Sequence, residues 1–384
     1  MITPLKKIAY ISGTRADFGL MTPVLQVIEK REKHSLQVYA TGMHLMPLFG
    51  ETIHEVRKLF PNVRRIEGVF ESDERAGMAR FAGAFLPNVV EALITERPDF
   101  VLILGDRIEM LVVAVACLYL SIPTGHLHGG ERTATVDDVA RHAISKLVSL
   151  HLTTTEDSAK RLRNMGEEEW RIHIVGAPAL DTIRLATLPT RKELCERLKL
   201  DSSKPFILLV QHAVSDETKK VGEQILETLA AVKSFSLPVV AIYPNADSGG
   251  MRIIAEIEKE RGNPLFSIFP NISHTDFLAL EREAAVWVGN SSGALIESSS
   301  FGTPVVNVGT RQKGRVRGEN VIDAGYNKIE IQNAIQKSLH DENYRRYLKT
   351  ISNPWGDGHT GEKVANILGN LEEPAKLLSK QIAY

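Results

Sequence analysis

The stretch FVLILGDRIEMLVVAVACLYL (100–120) carries the pattern that decides the fold of this chain. Its first five residues are all apolar, as expected of a strand that is buried on both faces of a parallel sheet. Gly105 and Asp106 end this run, and residues 107–120 have the length and apolar spacing of a helix. A buried strand, a short polar turn and a helix form the repeating unit of doubly wound α/β proteins.

The same unit recurs along the chain. Apolar runs rich in β-branched residues predict strands at 8–12, 36–41, 100–104, 123–128, 150–155, 171–175, 206–212, 238–243, 266–269, 285–289 and 304–309. Helical patterns lie between them, for example at 18–32, 107–120, 137–149, 216–233 and 329–340. The alternation predicts two doubly wound halves, with ligands at the carboxyl ends of the strands in a cleft between the sheets. With a joint near 176–204, we expect domains at 1–180 and 181–365 and a helical tail at 366–384.

The composition excludes several classes of function. The 384 residues include 46 Lys plus Arg and 47 Asp plus Glu, so the net charge of −1 gives no general attraction to nucleic acid or anionic membranes. Cys117 and Cys195 are too few for a disulfide framework and lack the spacing of a zinc site. The longest apolar run, 111–120, is too short to cross a bilayer, and residues 1–7 lack the apolar core of a signal peptide. We therefore expect a cytoplasmic protein with no membrane or nucleic-acid partner.

Two polar segments follow predicted strands in the first half. SGTRADFG (12–19) combines a tight glycine turn with the guanidinium of Arg15, which suits phosphate, but its spacing is neither a dinucleotide-binding fingerprint nor a P-loop. Taken alone, it is better explained as an ordinary turn with a surface arginine. GDRIE (105–109) places Asp106 at a strand end, where the carboxylate can either serve a site or cap the next helix.

A third polar segment is denser in titratable groups. HLHGGER (126–132) and DDVARH (137–142) bring three histidines and three carboxylates into seventeen positions. The H-x-H pair lacks a third ligand at fixed spacing, so no metal site is predicted. Either aspartate at 137–138 can be a helix cap, and Arg141 and His142 can complete a structural ion-pair network. The density of these groups at a strand end favours a functional role.

The second half contains a pattern suited to anions. His212 ends an apolar strand, where a histidine is often structural but here is expected to face the cleft. GNSSGALIE (289–297) joins small residues to a helix start, which suits phosphate, and Glu297 can accept hydrogen bonds from ribose; the alternative is a plain Ser/Gly turn. GTRQKGRVR (309–317) adds four basic residues, which are interpreted as counter-charge for a diphosphate rather than as solvated surface.

Together these segments resemble the UDP-N-acetylglucosamine 2-epimerases. The signatures occur in order over residues 8–360, and each is weak alone whereas the set is specific. They are GTRADFG, TGMH, GDRIE, HLHGGE, VDDVARHAISK, QH, YPNAD, GNSSGALIE and PWGDGH. The resemblance implies a GT-B architecture with two Rossmann-like domains and UDP bound mainly to the second. The DDxxRHAxxK segment is similar to the hydrolysing branch, which makes N-acetylmannosamine and free UDP for sialic and related nonulosonic acids.

The resemblance also implies the chemistry and its residues. UDP leaves C1 as a proton is removed from C2, and water then adds to the 2-acetamidoglucal at C1 while a proton returns to the other face of C2. Acidic catalytic positions match Asp106 and Asp137, with Asp138 beside them, and His212 matches a histidine near the diphosphate. Substrate-binding positions match Arg15, His44, Asn245, Ser291, Ser292, Gly293, Glu297 and Arg311. The partner implied is a UDP-sugar, without metal or cofactor, and a homodimer or homotetramer is expected.

One position departs from the family pattern. Some members carry H-x-E-G-G-E with a catalytic glutamate, whereas this chain has His128 at the glutamate position and its nearest carboxylate at Glu131. Either residue can be the third proton-transfer group, and His128 can also simply pack in the cleft wall. In an extended strand the two side chains point to opposite faces, although the intervening glycines permit a bend. We favour Glu131 as the carboxylate, with His128 orienting substrate or diphosphate.

The activity that these residues favour is hydrolysis of UDP-GlcNAc to N-acetylmannosamine and UDP. A UDP-2,4-diacetamido-2,4,6-trideoxy sugar is an alternative substrate, and a non-hydrolysing epimerase, which keeps UDP on its product, is an alternative reaction. A GT-B glycosyltransferase would need an acceptor. A UDP-sugar-binding regulator would not need Asp106, Asp137 or His212, so the presence of these residues disfavours it.

Overall fold

The computed structural model describes residues 6–31, 33–47, 50–68, 75–132, 137–214, 217–244 and 249–383, and only the backbone of Arg75 and Asp137. The chain forms two compact units. Unit 1 comprises Met1–Thr182 and Trp355–Tyr384, and unit 2 comprises Ile183–Pro354. Each unit contains one parallel sheet with helices, so the predicted pair of doubly wound α/β domains is confirmed.

The sheet of unit 1 has seven strands in the order β3-β2-β1-β4-β5-β6-β7. All its neighbouring strands are parallel. The strands are β1 Lys6–Ser12, β2 His34–Ala40, β3 Arg64–Arg65, β4 Phe100–Leu104, β5 Thr124–Leu127, β6 Leu150–Thr153 and β7 Ile172–Ile174. The helices of this part of the chain are α1 Arg15–Glu29, α2 Ile53–Leu59, α3 Arg75–Glu96, α4 Ile108–Tyr119, α5 Asp137–Leu147, α6 Glu156–Asn164 and α7 Pro178–Leu185.

The sheet of unit 2 has six parallel strands in the order β10-β9-β8-β11-β12-β13. The strands are β8 Ile207–Val210, β9 Val239–Ile242, β10 Phe266–Phe269, β11 Val286–Gly289, β12 Val305–Val308 and β13 Val321–Ala324. The helices are α8 Arg191–Leu198, α9 Val221–Lys233, α10 Gly250–Glu258, α11 His274–Glu283, α12 Ser292–Ile296, α13 Lys328–His340 and α14 Glu342–Tyr347. The chain then returns to unit 1 with α15 Thr360–Gly369 and α16 Pro374–Leu378.

The strand order places a ligand site in each unit. Unit 2 has the 3-2-1-4-5-6 order of Rossmann folds, and unit 1 has the same order with one added edge strand. In such sheets the order reverses between the first and fourth strands, and ligands bind beyond the carboxyl ends of those strands. The switch point lies between β1 and β4 in unit 1 and between β8 and β11 in unit 2. The central strands are apolar because helices cover both faces: every residue of Phe100–Ile103 is fully buried.

The described structure divides the end of the chain differently from the prediction. Residues 355–365 were expected in the second domain, yet Trp355 onward belongs to unit 1. Two buried backbone amides at the start of α15, those of Thr360 and Gly361, donate to the carboxylate of Asp181 at 2.9 and 2.8 Å. Helix α15 also packs on α1 and places Leu368 in the apolar core beside β1. The C-terminal segment packs on unit 1 through contacts between residues about 180 positions apart in sequence. A local sequence pattern cannot predict such contacts.

Two short edge strands, β3 and β13, were not predicted. Strand β3 has only two residues, both exposed, and β13 has the sequence VIDA with little burial. Neither gives the long apolar run that marks a central strand. Within the described ranges, no helix is both long and apolar enough to span a membrane.

Candidate active site

The first strand of unit 1 ends in a rigid turn. Asp17 accepts hydrogen bonds from the backbone N–H groups of Gly13 and Thr14, both at 2.9 Å, and completes a capping box with Thr14 at the start of α1. Burial raises the pKa of Asp17 to about 6, although these hydrogen bonds oppose the shift. Arg15 is exposed and pairs with Glu55 at 2.9 Å. The turn therefore has the ordinary strand–helix form, with the guanidinium of Arg15 at its surface.

His44 does not have the exposed position expected of a substrate-binding residue. Its ring is fully buried, with Nε2 at 2.9 Å from Ser12 Oγ and Nδ1 at 2.8 Å from Thr52 Oγ1. Burial lowers the pKa of His44 to about 4, so the ring is neutral at physiological pH. Because Ser12 and Thr52 occupy both nitrogens, His44 holds the end of β1, and its contact with substrate stays a prediction.

Asp106 follows β4 at the switch point and pairs with Arg141 of α5. The same guanidinium donates from Nη1 to the carbonyl of His128 at 2.9 Å. The alternative interpretation, that Asp106 caps the next helix, is wrong. The N-cap of α4 is Arg107, which makes no side-chain cap hydrogen bond. Arg141 is buried and therefore ties the ends of β4 and β5 to α5.

A second ion pair at this edge was missed from the sequence. Glu109 is fully buried and accepts from Arg107, with Nη2 at 2.9 Å. Burial alone would lower the pKa of Arg107, but the charge and hydrogen bonds of Glu109 outweigh it and raise the pKa. The carboxylate lies beneath Gly13 and Gly42, where an added Cβ would come within 3.0 and 2.8 Å of it. In the sequence, the spacing of Arg107 and Glu109 at the start of a helix did not indicate that their side chains form a buried ion pair.

His128 and Glu131 contact each other, contrary to the parity of an extended strand. The His128 Nδ1 to Glu131 Oε1 distance is 2.8 Å. Strand β5 ends at Leu127, and positive φ angles at His128 (63°) and Gly130 (76°) fold the segment back. Glu131 is buried and accepts from Thr154 Oγ1 at 2.9 Å. His128 is the more exposed of the two, and its Nε2 has no hydrogen-bond partner among the described residues.

The remaining groups of this cluster have different surroundings. His126 is buried, with Nε2 at 2.7 Å from the carbonyl of Gly105, and burial lowers its pKa to about 3, as fits a neutral structural histidine. Asp138 is half-buried in the first turn of α5, where its charge acts on His142. The backbone of Asp137 begins α5, but its side chain and all of Asn245 lie outside the described residues. Among the described residues, no group of three His, Cys, Asp or Glu is placed to hold a metal.

In unit 2, the ends of β8 and β11 are joined by Asn290, which sequence reasoning did not single out. Its Oδ1 accepts from the backbone N–H of His212 at 2.7 Å, and its Nδ2 donates to the carbonyl of His212 at 3.0 Å. Gly289 precedes it at φ 139°, where a Cβ would lie 1.9 Å from the carbonyl oxygen of Val210. Only glycine permits this close approach, which sets His212 at the switch point.

The Ser/Gly turn follows directly. Ser291 is the N-cap of α12 without a side-chain cap hydrogen bond, and Ser292 and Gly293 form its first turn. Helix α12 has only five residues, so any anion here would be held by individual N–H groups more than by a long helix dipole. Arg311 donates to the carbonyl of Asn290 at 3.1 Å.

Glu297 has an unexpected neighbour, Glu281 of α11. Glu281 is fully buried, and burial followed by the adjacent Glu297 charge raises its pKa well above the usual range. Burial also raises the pKa of Glu297. No donor hydrogen-bonds to either carboxylate oxygen of Glu281 among the described residues. Burial and the charge of Glu297 therefore both favour the neutral form of Glu281.

Comparison with known proteins identifies the family. A protein-family sequence model described as UDP-N-acetylglucosamine 2-epimerase matches residues 26–369. A Legionella pneumophila protein named UDP-N,N'-diacetylbacillosamine 2-epimerase (hydrolyzing) is 37% identical over 99% of this chain and 100% of its own length. A Neisseria meningitidis protein named UDP-N-acetylglucosamine 2-epimerase is 34% identical over 96% of both chains.

Solved structures agree on the fold. The Neisseria meningitidis UDP-GlcNAc 2-epimerase bound to UDP-GlcNAc has a TM-score of 0.78 at 19% identity, covering 95% of this chain and 100% of that one. The Methanocaldococcus jannaschii UDP-GlcNAc 2-epimerase in complex with UDP-GlcNAc and UDP has a TM-score of 0.75 at 19% identity, with the same coverage. Since the family model spans most of the sequence and the fold is the GT-B class expected, the chain belongs to the UDP-N-acetylglucosamine 2-epimerase family.

Proposed function

We propose that this protein is a hydrolysing 2-epimerase of a UDP-2-acetamido sugar, which releases UDP and the free sugar inverted at C2. The relative that is 37% identical over the full length, whose printed name includes "hydrolyzing", carries this proposal. A Campylobacter jejuni relative, 34% identical over 85% of this chain, is named GDP/UDP-N,N'-diacetylbacillosamine 2-epimerase (hydrolyzing). UDP-N,N'-diacetylbacillosamine is therefore the first substrate to test. UDP-GlcNAc, which the sequence analysis expected, is the second, because the 34% identical Neisseria relative bears its name.

The groups of unit 1 supply the acid–base chemistry in this proposal. In the first step the C2 proton passes to a carboxylate as the C1–O bond to the diphosphate breaks, which gives a 2-acetamidoglucal and UDP. In the second, water oxygen bonds to C1 and loses a proton to a basic group, while a proton is delivered to C2 from the opposite face. We assign one transfer to Asp106, which Arg141 orients. The other is assigned to His128, which contacts Glu131 at 2.8 Å, with Asp137 and Asp138 as further acids at the start of α5.

This proposal assigns the third proton-transfer role to His128, whereas the sequence analysis favoured Glu131 for that role. Glu131 is buried and its Oε1 already accepts from Thr154 and contacts His128. A carboxylate in that position orients an imidazole and stabilises its charged form, as in other His–carboxylate pairs. The Nε2 of His128, which has no hydrogen-bond partner among the described residues, is then the atom that carries the proton.

Unit 2 holds the nucleotide in this proposal. The N–H groups around Ser291, Ser292 and Gly293 receive the diphosphate, with Arg311 and His212 beside them, and Glu297 accepts from the ribose hydroxyls. Substrate binding by Arg15 and Asn245 stays a prediction. The homo-oligomeric state and the cytoplasmic location expected from the sequence also stay predictions. A place in sialic or related nonulosonic acid synthesis is also proposed, in keeping with the E. coli relative named polysialic acid biosynthesis protein P7, 32% identical over 91% of this chain.

Product analysis tests the proposed function. The purified protein is incubated with each UDP-sugar in D₂O, and the products are followed by proton and phosphorus NMR. We expect free UDP together with a free sugar that is inverted at C2 and carries one deuterium there. An epimer that still carries UDP would establish the non-hydrolysing reaction instead, and turnover only with a sugar acceptor would establish a transferase.

A further inference from the structure

Lys380, near the end of the chain, contacts the carboxyl end of α5. Its Nζ donates to the carbonyl oxygens of Ser145, Lys146 and Val148 at 2.8, 3.1 and 2.9 Å. These carbonyls belong to the last turn of the helix and the residue that follows it, where the helix itself leaves acceptors without partners. The ammonium of Lys380 offers donors to these acceptors and complements the negative end of the helix dipole.

A buried carboxylate holds the ammonium in place. Glu167, whose side chain is fully buried, lies 2.6 Å from Lys380 Nζ and 2.9 Å from Lys146 Nζ. His151 Nε2 approaches the same carboxylate at 2.8 Å, and burial lowers the pKa of His151 to about 4, so its ring is neutral. Two ammonium groups therefore share one carboxylate, and the surplus positive charge faces the carbonyls at the end of α5.

The segment that carries Lys380, the C-terminal tail (374–383), is fixed to unit 1 by several independent contacts. Buried Arg171 donates to the tail carbonyls of Lys376, Leu377 and Ser379 at 3.1, 2.7 and 2.9 Å. The N–H of Ala383 donates to the carbonyl of Gly166 at 2.9 Å. Gly166 has φ 80°, and a Cβ there would lie 2.9 Å from the side chain of Ile382. The C-terminal tail is therefore packed against unit 1 as an ordered part of its structure.

Helix α5 links this tail to the strand-end acids. Arg141 lies one turn before Ser145, which donates to its carbonyl at 3.0 Å. From there the Arg141 guanidinium reaches Asp106 and the carbonyl of His128. A displacement of the last turn of α5 would therefore move the group that orients Asp106.

We propose that Lys380 is a positioning residue for the acid–base groups of unit 1, which acts by fixing the carboxyl end of α5. The inference rests on the proposed catalytic roles of Asp106 and His128. Lys380 itself touches none of the reacting atoms in this proposal.

The test compares Lys380→Met with Lys376→Met, which changes another lysine of the tail that pairs with Glu372 at 2.9 Å and does not contact α5. Backbone hydrogen exchange is measured first, without substrate. In Lys380→Met we expect amides of α5 to exchange about tenfold faster or more, because the carbonyl caps are lost, while amides of unit 2 keep their rates. The Lys376→Met variant should match the wild type.

Steady-state kinetics and UDP calorimetry provide the second readout. We expect kcat of Lys380→Met to fall by about 10- to 100-fold, as for small displacements of positioned groups, with KM and the Kd for UDP within about twofold of wild type. Lys380→Arg keeps the charge but not the geometry of the three contacts, and should lie between the two. If Lys380→Met fails to fold, Lys380→Arg is compared with the wild type by the same measurements.

Each outcome is decisive. Unchanged exchange in α5, faster exchange with unchanged kcat, or a loss of UDP affinity equal to the loss of kcat would each overturn the inference. If the wild-type protein turns over neither UDP-sugar, the proposed function fails, whereas the exchange comparison still decides whether Lys380 fixes α5.

Discussion

The switch points of the two units are built from opposite electrostatic arrangements. In unit 1, Asp106 forms an ion pair with buried Arg141, which holds its carboxylate in one orientation. In unit 2, Glu297 lies near buried Glu281, whose pKa is raised well above the usual range by burial and by the charge of Glu297. A fixed charge suits proton transfer at a carbon centre, whereas neutral or N–H donors suit the binding of an anion that must later leave. The same strand order therefore supports different chemistry because different partners reach each strand end.

The largest effect is expected from Asp106→Asn, which tests the charged side of this comparison. Turnover should fall by about 10²- to 10⁴-fold, since an amide cannot accept the proton, while UDP affinity stays unchanged. Released UDP and circular dichroism provide the measurements. Asp276→Asn is the matched control, because Asp276 of α11 also pairs with an arginine, Arg197, at 2.8 Å, but in unit 2. Activity above about a tenth of wild type in a folded Asp106→Asn protein would remove Asp106 from the mechanism.

Substitutions of the His128–Glu131 pair sharpen the comparison within unit 1. His128→Gln should lower kcat by about 10²-fold, because a glutamine amide cannot take up and release the proton. Glu131→Gln should lower kcat by only about tenfold, since it removes the orienting partner and leaves the proton carrier in place. His54→Gln, at an exposed histidine, is the control. The reverse order of effects would assign the proton transfer to Glu131, and near-wild-type rates in both variants would exclude the pair.

Substitutions at the Ser/Gly turn test the nucleotide side. Glu297→Ala should weaken UDP binding by about tenfold or more, the range for a hydrogen bond to a charged group, and Ser292→Tyr should block the phosphates by bulk. Calorimetry with UDP measures both. Glu223→Ala, at an exposed glutamate of α9, should bind UDP as the wild type does. Unchanged affinity in both site variants would place the nucleotide elsewhere.

The smallest effect on turnover is expected from Glu281→Gln, which changes the stability of unit 2 instead. Because the folded pKa of Glu281 is raised, the native state binds a proton that the unfolded chain releases above about pH 4.3. Its contribution to stability is therefore present at low pH and is lost as pH rises toward the folded pKa. A glutamine supplies the donor at every pH, so the free energy of unfolding at pH 8 should rise by roughly 1–2 kcal/mol, with a smaller gain at pH 5. Urea titrations at both pH values measure this; a variant that is less stable at pH 8 would contradict the raised pKa of Glu281.

The predictability of the site differed between neighbouring residues for physical reasons. Asp106, His212 and Ser291 were predictable because each follows an apolar strand, and parallel strands present their carboxyl ends at one edge. The contact of His128 with Glu131 was not predictable, because it depends on a positive φ at His128, which is uncommon for any residue other than glycine. The surroundings of His44 were not predictable either, because the sequence shows that a histidine follows a strand but not that two hydroxyls occupy its ring nitrogens.

The sequence by itself determined the alternation of strands and helices, the two doubly wound domains and the family, because burial on both sheet faces leaves a local record in apolar runs. Only the tertiary structure decided which groups are paired. Asn290 with His212, Glu281 with Glu297 and Lys380 with the end of α5 are separated by about 78, 16 and 235 residues. The return of 355–383 to unit 1 was decided in the same way. Such partners meet because the packed core fixes their backbones, and hydrogen-bond distance and charge then select among side chains that the sequence leaves far apart.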